Sequence, residues 1–233
     1  MDSVQSFYTL AGTAVFLGFL HTVIGPDHYL PFVALGKVRN WSSAHTLLVT
    51  FLCGLGHVLS SVILGFLGIV LGAGVGALES IEGTRADIVK WMLLVFGVCY
   101  MIYGVKFAML GKVHMHEDGI VHSHGCVSAG HTHAAPIGKN AGFWILFIIF
   151  AFGPCEVLIP LVMYPASEFN WLAVFAVALA FSFSTVGTML LMVGGLLYGM
   201  RYMGNWTGKL ERWNHTITGA VIAICAILMF VGL

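Results

Sequence analysis

His21-Thr22-Val23-Ile24-Gly25-Pro26-Asp27-His28-Tyr29-Leu30-Pro31 is an apolar run interrupted at its centre by Gly-Pro, with ionisable side chains on both sides of the interruption. Pro26 and Pro31 carry no N–H, so a helix entering this stretch loses backbone hydrogen bonds where Asp27 and His28 stand. Sliding the chain along itself by 128 positions lays Gly25-Pro26-Asp27-His28 over Gly153-Pro154-Cys155-Glu156, and a further proline follows at Pro31 in one copy and Pro160 in the other. The same offset sets His57 opposite Thr185. The chain therefore reads as two halves, each opening with a broken helix.

The 233 residues are 59% apolar and 9% charged, against roughly 25% charged in a soluble domain. A water-soluble globular fold is excluded. Ten basic and ten acidic residues leave no net charge, so nothing favours nucleic acid as a partner. Runs long enough for a bilayer core of about 30 Å predict six spans, over residues 7–36, 46–72, 88–110, 141–165, 171–199 and 216–233. Three spans per half is an odd number, so the halves enter the membrane from opposite sides. The expected fold is an all-α membrane protein of six transmembrane helices, arranged as two inverted three-helix repeats with broken first and fourth helices. Residues 1–110 form the first repeat, 111–140 a connecting loop and 141–233 the second.

Eight of the ten basic residues fall in or beside three alternate connections, Lys37 with Arg39, Lys106 with Lys112 and Lys139, and Arg201 with Lys209 and Arg212. The positive-inside rule makes those connections cytoplasmic. Arg85 and Lys90 share the other side with Asp2, Glu79, Glu82, Asp87 and Glu168. An integral protein of the cytoplasmic membrane is expected, with both termini outside. Residues 1–6 hold no basic n-region, so the first helix is expected to be retained. The cysteines Cys53, Cys99, Cys126, Cys155 and Cys225 are odd in number and four lie in apolar spans. Free thiols are expected, not a disulfide framework.

A carboxylate inside a helix costs several kcal/mol in lipid, so Asp27 and Glu156 are expected to face the bundle interior or a wet cavity. Either they cap half-helix N-termini or they serve a site. His21 and His28 are two turns apart, about 10 Å along a straight helix. The intervening break either closes them on one metal ion or leaves two successive stops on a path. His57, in Leu55-Gly56-His57-Val58-Leu59-Ser60, reads as a ligand or the partner of one. Imidazole with carboxylate suits nickel, cobalt or zinc and suits calcium poorly. The candidate metal site is His21, Asp27, His28, His57 and Glu156, with Cys155, Ser182 and Thr185 expected to line the pathway. The loop holds three further pairs, His114/His116, His122/His124 and His131/His133. In extended chain, i and i+2 project to one side, so each pair can chelate an ion for capture, buffering or sensing.

The run from His21 to His28, followed by Leu-Gly-His-Val-Leu-Ser at 55–60, resembles the nickel/cobalt transporter superfamily and its urease-accessory (UreH-like) branch. The resemblance implies metal-binding roles for His21, Asp27, His28 and His57. Five residues separate His21 from Asp27 where the family motif has four, a slip of about 100° around a helix. The His-rich loop looks like that of nickel and cobalt efflux members. The Phe152–Pro160 run also looks like the Pro-Cys element of the CcdA/DsbD membrane electron carriers. Their second thiol would fall on Asp27, so thiol-based electron transfer is the least favoured reading.

The expected function is secondary transport of divalent transition metal ions, nickel or cobalt first, with zinc and iron open. Nothing resembles a nucleotide-binding loop, and neither enzymatic activity nor an organic cofactor is expected. The alternative is a membrane-anchored metal sensing or delivery protein acting through its His-rich loop. Expected partners are membrane lipid, the metal ions and a cytoplasmic metallochaperone. The glycine spacings at Gly68, Gly72 and Gly76 and at Gly195 and Gly199 suit tight helix packing or a homo-oligomer face.

Overall fold

The computed structural model describes residues 2–110, 114–115, 121–122, 141–168, 170–202 and 213–232. These are helical apart from turns and one two-residue antiparallel pairing of His114–Met115 with Val121–His122. Helix α1 (Asp2–Ile24) stops at Gly25, a 3-10 turn spans Pro26–His28, and α2 (Leu30–Val38) resumes. Then come α3 (Ser43–Val70), α4 (Val75–Leu110), α5 (Ala141–Phe152), α6 (Leu158–Ser167), α7 (Trp171–Tyr202) and α8 (Asn214–Val231). Five of them, α1, α3, α4, α7 and α8, are long and apolar enough to cross a membrane. Helices α5 and α6 have 12 and 10 residues, each too short to cross a core of about 30 Å alone at about 1.5 Å per residue. The outer faces carry Phe175, Leu179, Phe183, Leu191 and Ile224 exposed, a surface that suits lipid rather than water.

Both backbone breaks follow from the Gly-Pro pairs. Gly25 N–H still reaches His21 O at 3.1 Å, but Pro26 has none to give, and the chain tightens so that His28 N–H bonds Gly25 O at 3.1 Å. In the second break Gly153 N–H bonds Phe150 O and Leu158 N–H bonds Cys155 O, both at 2.9 Å. The elements keep the 128-residue register. Ile24 and Phe152 end the first segments, Leu30 and Leu158 begin the second, and Ser43 and Trp171 begin the third. The N-caps match as well: Ser42 Oγ accepts from His45 N at 3.1 Å, and Asn170 Oδ1 accepts from Ala173 N at 3.1 Å. Helix α3 ends where Gly72 takes a φ of +67°, a conformation open to a residue without Cβ.

Packing exchanges the halves. Helix α1 lies on α7 while α5 lies on α3, α2 lies on α8 while α6 touches α4, and the like elements α3 with α7 and α4 with α8 also meet. At the α4–α8 seam a methyl on Gly97 would stand 2.5 Å from Ala223 N, and one on Gly219 would run into the Met101 backbone. Backbone-to-backbone approach of this kind is what small residues allow in membrane helices. Gly219→Ala is expected to force the helices apart and cost about 1–3 kcal/mol, the usual range for overpacking, read as a lower melting temperature in detergent.

One predicted boundary moves. The third span was expected from residue 88, yet α4 begins at Val75. The polar stretch around Glu79, Glu82, Arg85 and Asp87 lowers local hydropathy, but Glu82 is 0% exposed and its Oε1 accepts from Arg85 Nη1 at 2.6 Å. Glu82 and Arg85 are therefore not free connection charges, as the orientation count took them to be; they neutralise each other inside the fold.

Candidate functional site: a histidine cluster between the two breaks

His21 is on the last turn of α1, His28 ends the 3-10 turn, and His57 is midway along α3. Packing brings their rings together: centroids are 4.7 Å apart for His21 and His28, 5.2 Å for His28 and His57, and 6.4 Å for His21 and His57. Two turns of continuous helix would have held His21 and His28 apart. Gly25, extended at φ −82° and ψ 94°, resets the helical phase, so the five-residue spacing from His21 to Asp27 does not turn His21 away.

Each glycine of the repeated Gly-Pro pair makes room for one imidazole. A methyl on Gly25 would stand 2.6 Å from His28 Nδ1, and a methyl on Gly153 would stand 2.7 Å from His57 Nδ1. The same close approach is thus used twice, at equivalent positions, to hold two different rings.

Two of the rings are oriented through Nδ1. His57 Nδ1 lies 3.3 Å from Phe150 O, and His28 Nδ1 lies 3.2 Å from both Gly25 O and Asp27 Oδ2. Carbonyl and carboxylate oxygens only accept, so in the neutral rings Nδ1 carries the hydrogen and Nε2 keeps the lone pair. The Nε2 atoms of His21, His28 and His57 are buried and have no partner. A buried imidazole normally finds one; three adjacent unused lone pairs, two backed by an oxygen on the far nitrogen, match the way metal-ligating histidines are held.

These residues line a cavity of about 410 Å³ with apolar walls from Leu93, Ile149 and Phe150. Asp27 lines it too, with its side chain 15% exposed and directed to His28. Its observed contact is therefore with a histidine, which orients that ring. Glu156 lines the same cavity but is exposed and does not join the histidines. Lys90, paired with Asp87 at 3.2 Å, supplies a positive charge to the lining.

Cys155 is not itself among the cavity-lining residues. It is fully buried, and its sulfur and one nitrogen each from His21 and His57 lie within 4.8 Å of one another. In the repeat register it is the counterpart of Asp27, which was the signal for it. Ser182 and Thr185 are not among the cavity-lining residues. Ser182 Oγ donates to Ala178 O at 2.6 Å, and Thr185, buried, packs near Gly18 of α1. Apart from His114 and His122 in the short pairing, the loop histidines His116, His124, His131 and His133 lie outside the described residues.

Sequence reasoning missed the support of the second break. Glu82 Oε2 accepts from Cys155 N at 3.1 Å, while Arg85 Nη2 donates to Ser60 Oγ at 2.8 Å, Ala151 O at 3.2 Å and Gly153 O at 3.3 Å. A buried ion pair of α4 thus satisfies carbonyls freed at the end of α5 and an N–H freed before α6. An acid and a base three residues apart beside an apolar run was the available signal. Comparison with family models, curated proteins and solved structures found no match.

Proposed function

We propose that the chain is a secondary transporter of divalent transition metal ions, built as six spans in two inverted three-helix repeats, with nickel or cobalt as first candidates and zinc or iron as further ones. The observation that carries this reading is the trio of histidines whose buried Nε2 atoms lack a partner at one cavity, two of them oriented through Nδ1. The matched register of the breaks and the reciprocal packing of α1 on α7 and α5 on α3 support the repeat. The resemblance to the nickel/cobalt transporter superfamily points the same way.

In this mechanism His21, His28 and His57 replace the water shell of the ion, and Asp27 orients His28 and offsets part of the ionic charge. Rocking of one half against the other then exposes the cavity to alternate sides, with the His-rich loop on the cytoplasmic one. Because the imidazoles bind metal only when neutral, protons compete with the ion, and a proton gradient can drive the exchange.

The test is uptake of nickel, cobalt, zinc, iron and manganese into liposomes holding a metal-quenched dye. Asp27→Asn keeps the shape but weakens both the acceptor and the charge, and is expected to cut uptake by about 10–100-fold, the range for losing an orienting partner. Normal uptake by Asp27→Asn and by His28→Ala would overturn the assignment.

A further inference from the structure

We propose that Cys155 is a ligand, so that the ion is bound by mixed imidazole and thiolate donors, and that the site selects thiophilic ions such as cobalt and zinc over manganese and magnesium. The inference rests on the transport reading and deepens it by naming the class of ion. Its basis is geometric: His21, His57 and Cys155 each offer a donor atom within 4.8 Å of the other two. In a tetrahedral site, metal–nitrogen bonds of about 2.0 Å and metal–sulfur bonds of about 2.3 Å put donors roughly 3.3–3.5 Å apart. A contraction of about 1 Å closes the set, which side-chain rotation supplies.

Three further features bear on this cysteine as a ligand. His57, 3% exposed, and His21 leave Nε2 without a partner beside it. Gly153 and Pro154, its immediate predecessors, line the cavity in which the histidines lie. Its backbone is pinned by Glu82 through the N–H, so the thiol is held on a chain break rather than carried on a continuous helix.

The donor set decides the metal class. Thiolate and imidazole favour zinc-type ions, whereas manganese and magnesium take carboxylate, carbonyl and water oxygens. Of the two carboxylates in the cavity lining, Asp27 is engaged with His28 and Glu156 is exposed. When the metal–sulfur bond forms, the Cys155 thiol gives up its proton, which leaves to solvent, and the sulfur lone pair enters the metal. No electron is transferred.

Cobalt(II) alone is the probe, added to full-length detergent-solubilised protein with His114→Ser, His116→Ser, His122→Ser, His124→Ser, His131→Ser and His133→Ser to silence the loop. The expected spectrum has intense d–d bands of a four-coordinate ion together with a sulfur-to-cobalt charge-transfer band, and binding releases about one proton per ion. In Cys155→Ser the charge-transfer band disappears and proton release falls by about one per ion while weaker d–d bands from the histidines persist. Intense d–d bands without charge transfer in the parent, or charge transfer that survives Cys155→Ser, overturn the cysteine assignment and leave the histidine site standing. Absence of any cobalt band in folded parent protein overturns the transport reading itself.

Discussion

His57→Ala is expected to lower metal affinity and liposome uptake by more than about 100-fold, beyond the 10–100-fold typical of residues that only orient a ligand. His57 is the member of the trio that comes from another helix: His21 and His28 flank one break, and His57 reaches them from the middle of α3. Its loss removes one of the unused lone pairs and one of the two donors to Phe150 O, which also accepts from Gly153 N–H. That carbonyl is at the end of α5, so the change also costs stability, about 0.5–1.5 kcal/mol for one lost hydrogen bond. The two effects are separable by measurement. Isothermal titration with cobalt reads the first and thermal melting reads the second, and His57→Gln, whose amide can donate to Phe150 O, is expected to recover stability without recovering affinity. Affinity near the parent value in His57→Ala would place the ion elsewhere.

The second large effect is expected at Glu82. Glu82→Leu leaves the Arg85 guanidinium without its carboxylate and Cys155 N–H without its acceptor. Removing one partner of a buried ion pair costs about 3–5 kcal/mol, whereas replacing both by apolar groups is often close to neutral. Here the double variant Glu82→Leu with Arg85→Leu still abandons Ser60 Oγ and the carbonyls of Ala151 and Gly153, so it is expected to melt between the parent and Glu82→Leu. A Glu82→Leu protein that melts with the parent would mean that the pair does not hold the second break. Because this break presents Gly153 against His57 and Cys155 beside it, cobalt affinity is expected to fall together with the melting temperature in Glu82→Leu.

Much of the architecture was readable from local chemistry. Gly25-Pro26 and Gly153-Pro154 interrupt helices wherever they occur in an apolar run, because proline lacks the N–H that the ladder requires. The breaks therefore fall at the two Gly-Pro pairs, and the 128-residue register extends to the caps Ser42 and Asn170. The division of the fourth predicted span into α5 and α6 is stronger than the interruption was expected to be, since neither piece is long enough to cross alone. The start of α4 was misjudged because hydropathy counts Glu82 and Arg85 as two charges, and their cancellation depends on a contact between side chains.

The histidines illustrate the boundary between the two kinds of information. Their residue types and their place beside a backbone break were visible in one dimension, as was the apolar character that puts such groups at a premium. Which atoms meet was not, because that depends on α1 crossing to α7 and α5 to α3. Only this exchange carries His57 to His28 and brings Cys155 into the group rather than Glu156. Helix breaks arise from covalent geometry within a few residues, so a short stretch of chain suffices to specify them. A metal site needs donors placed to within about an ångström across segments 30 to 130 residues apart, and only the packing of whole helices sets those distances.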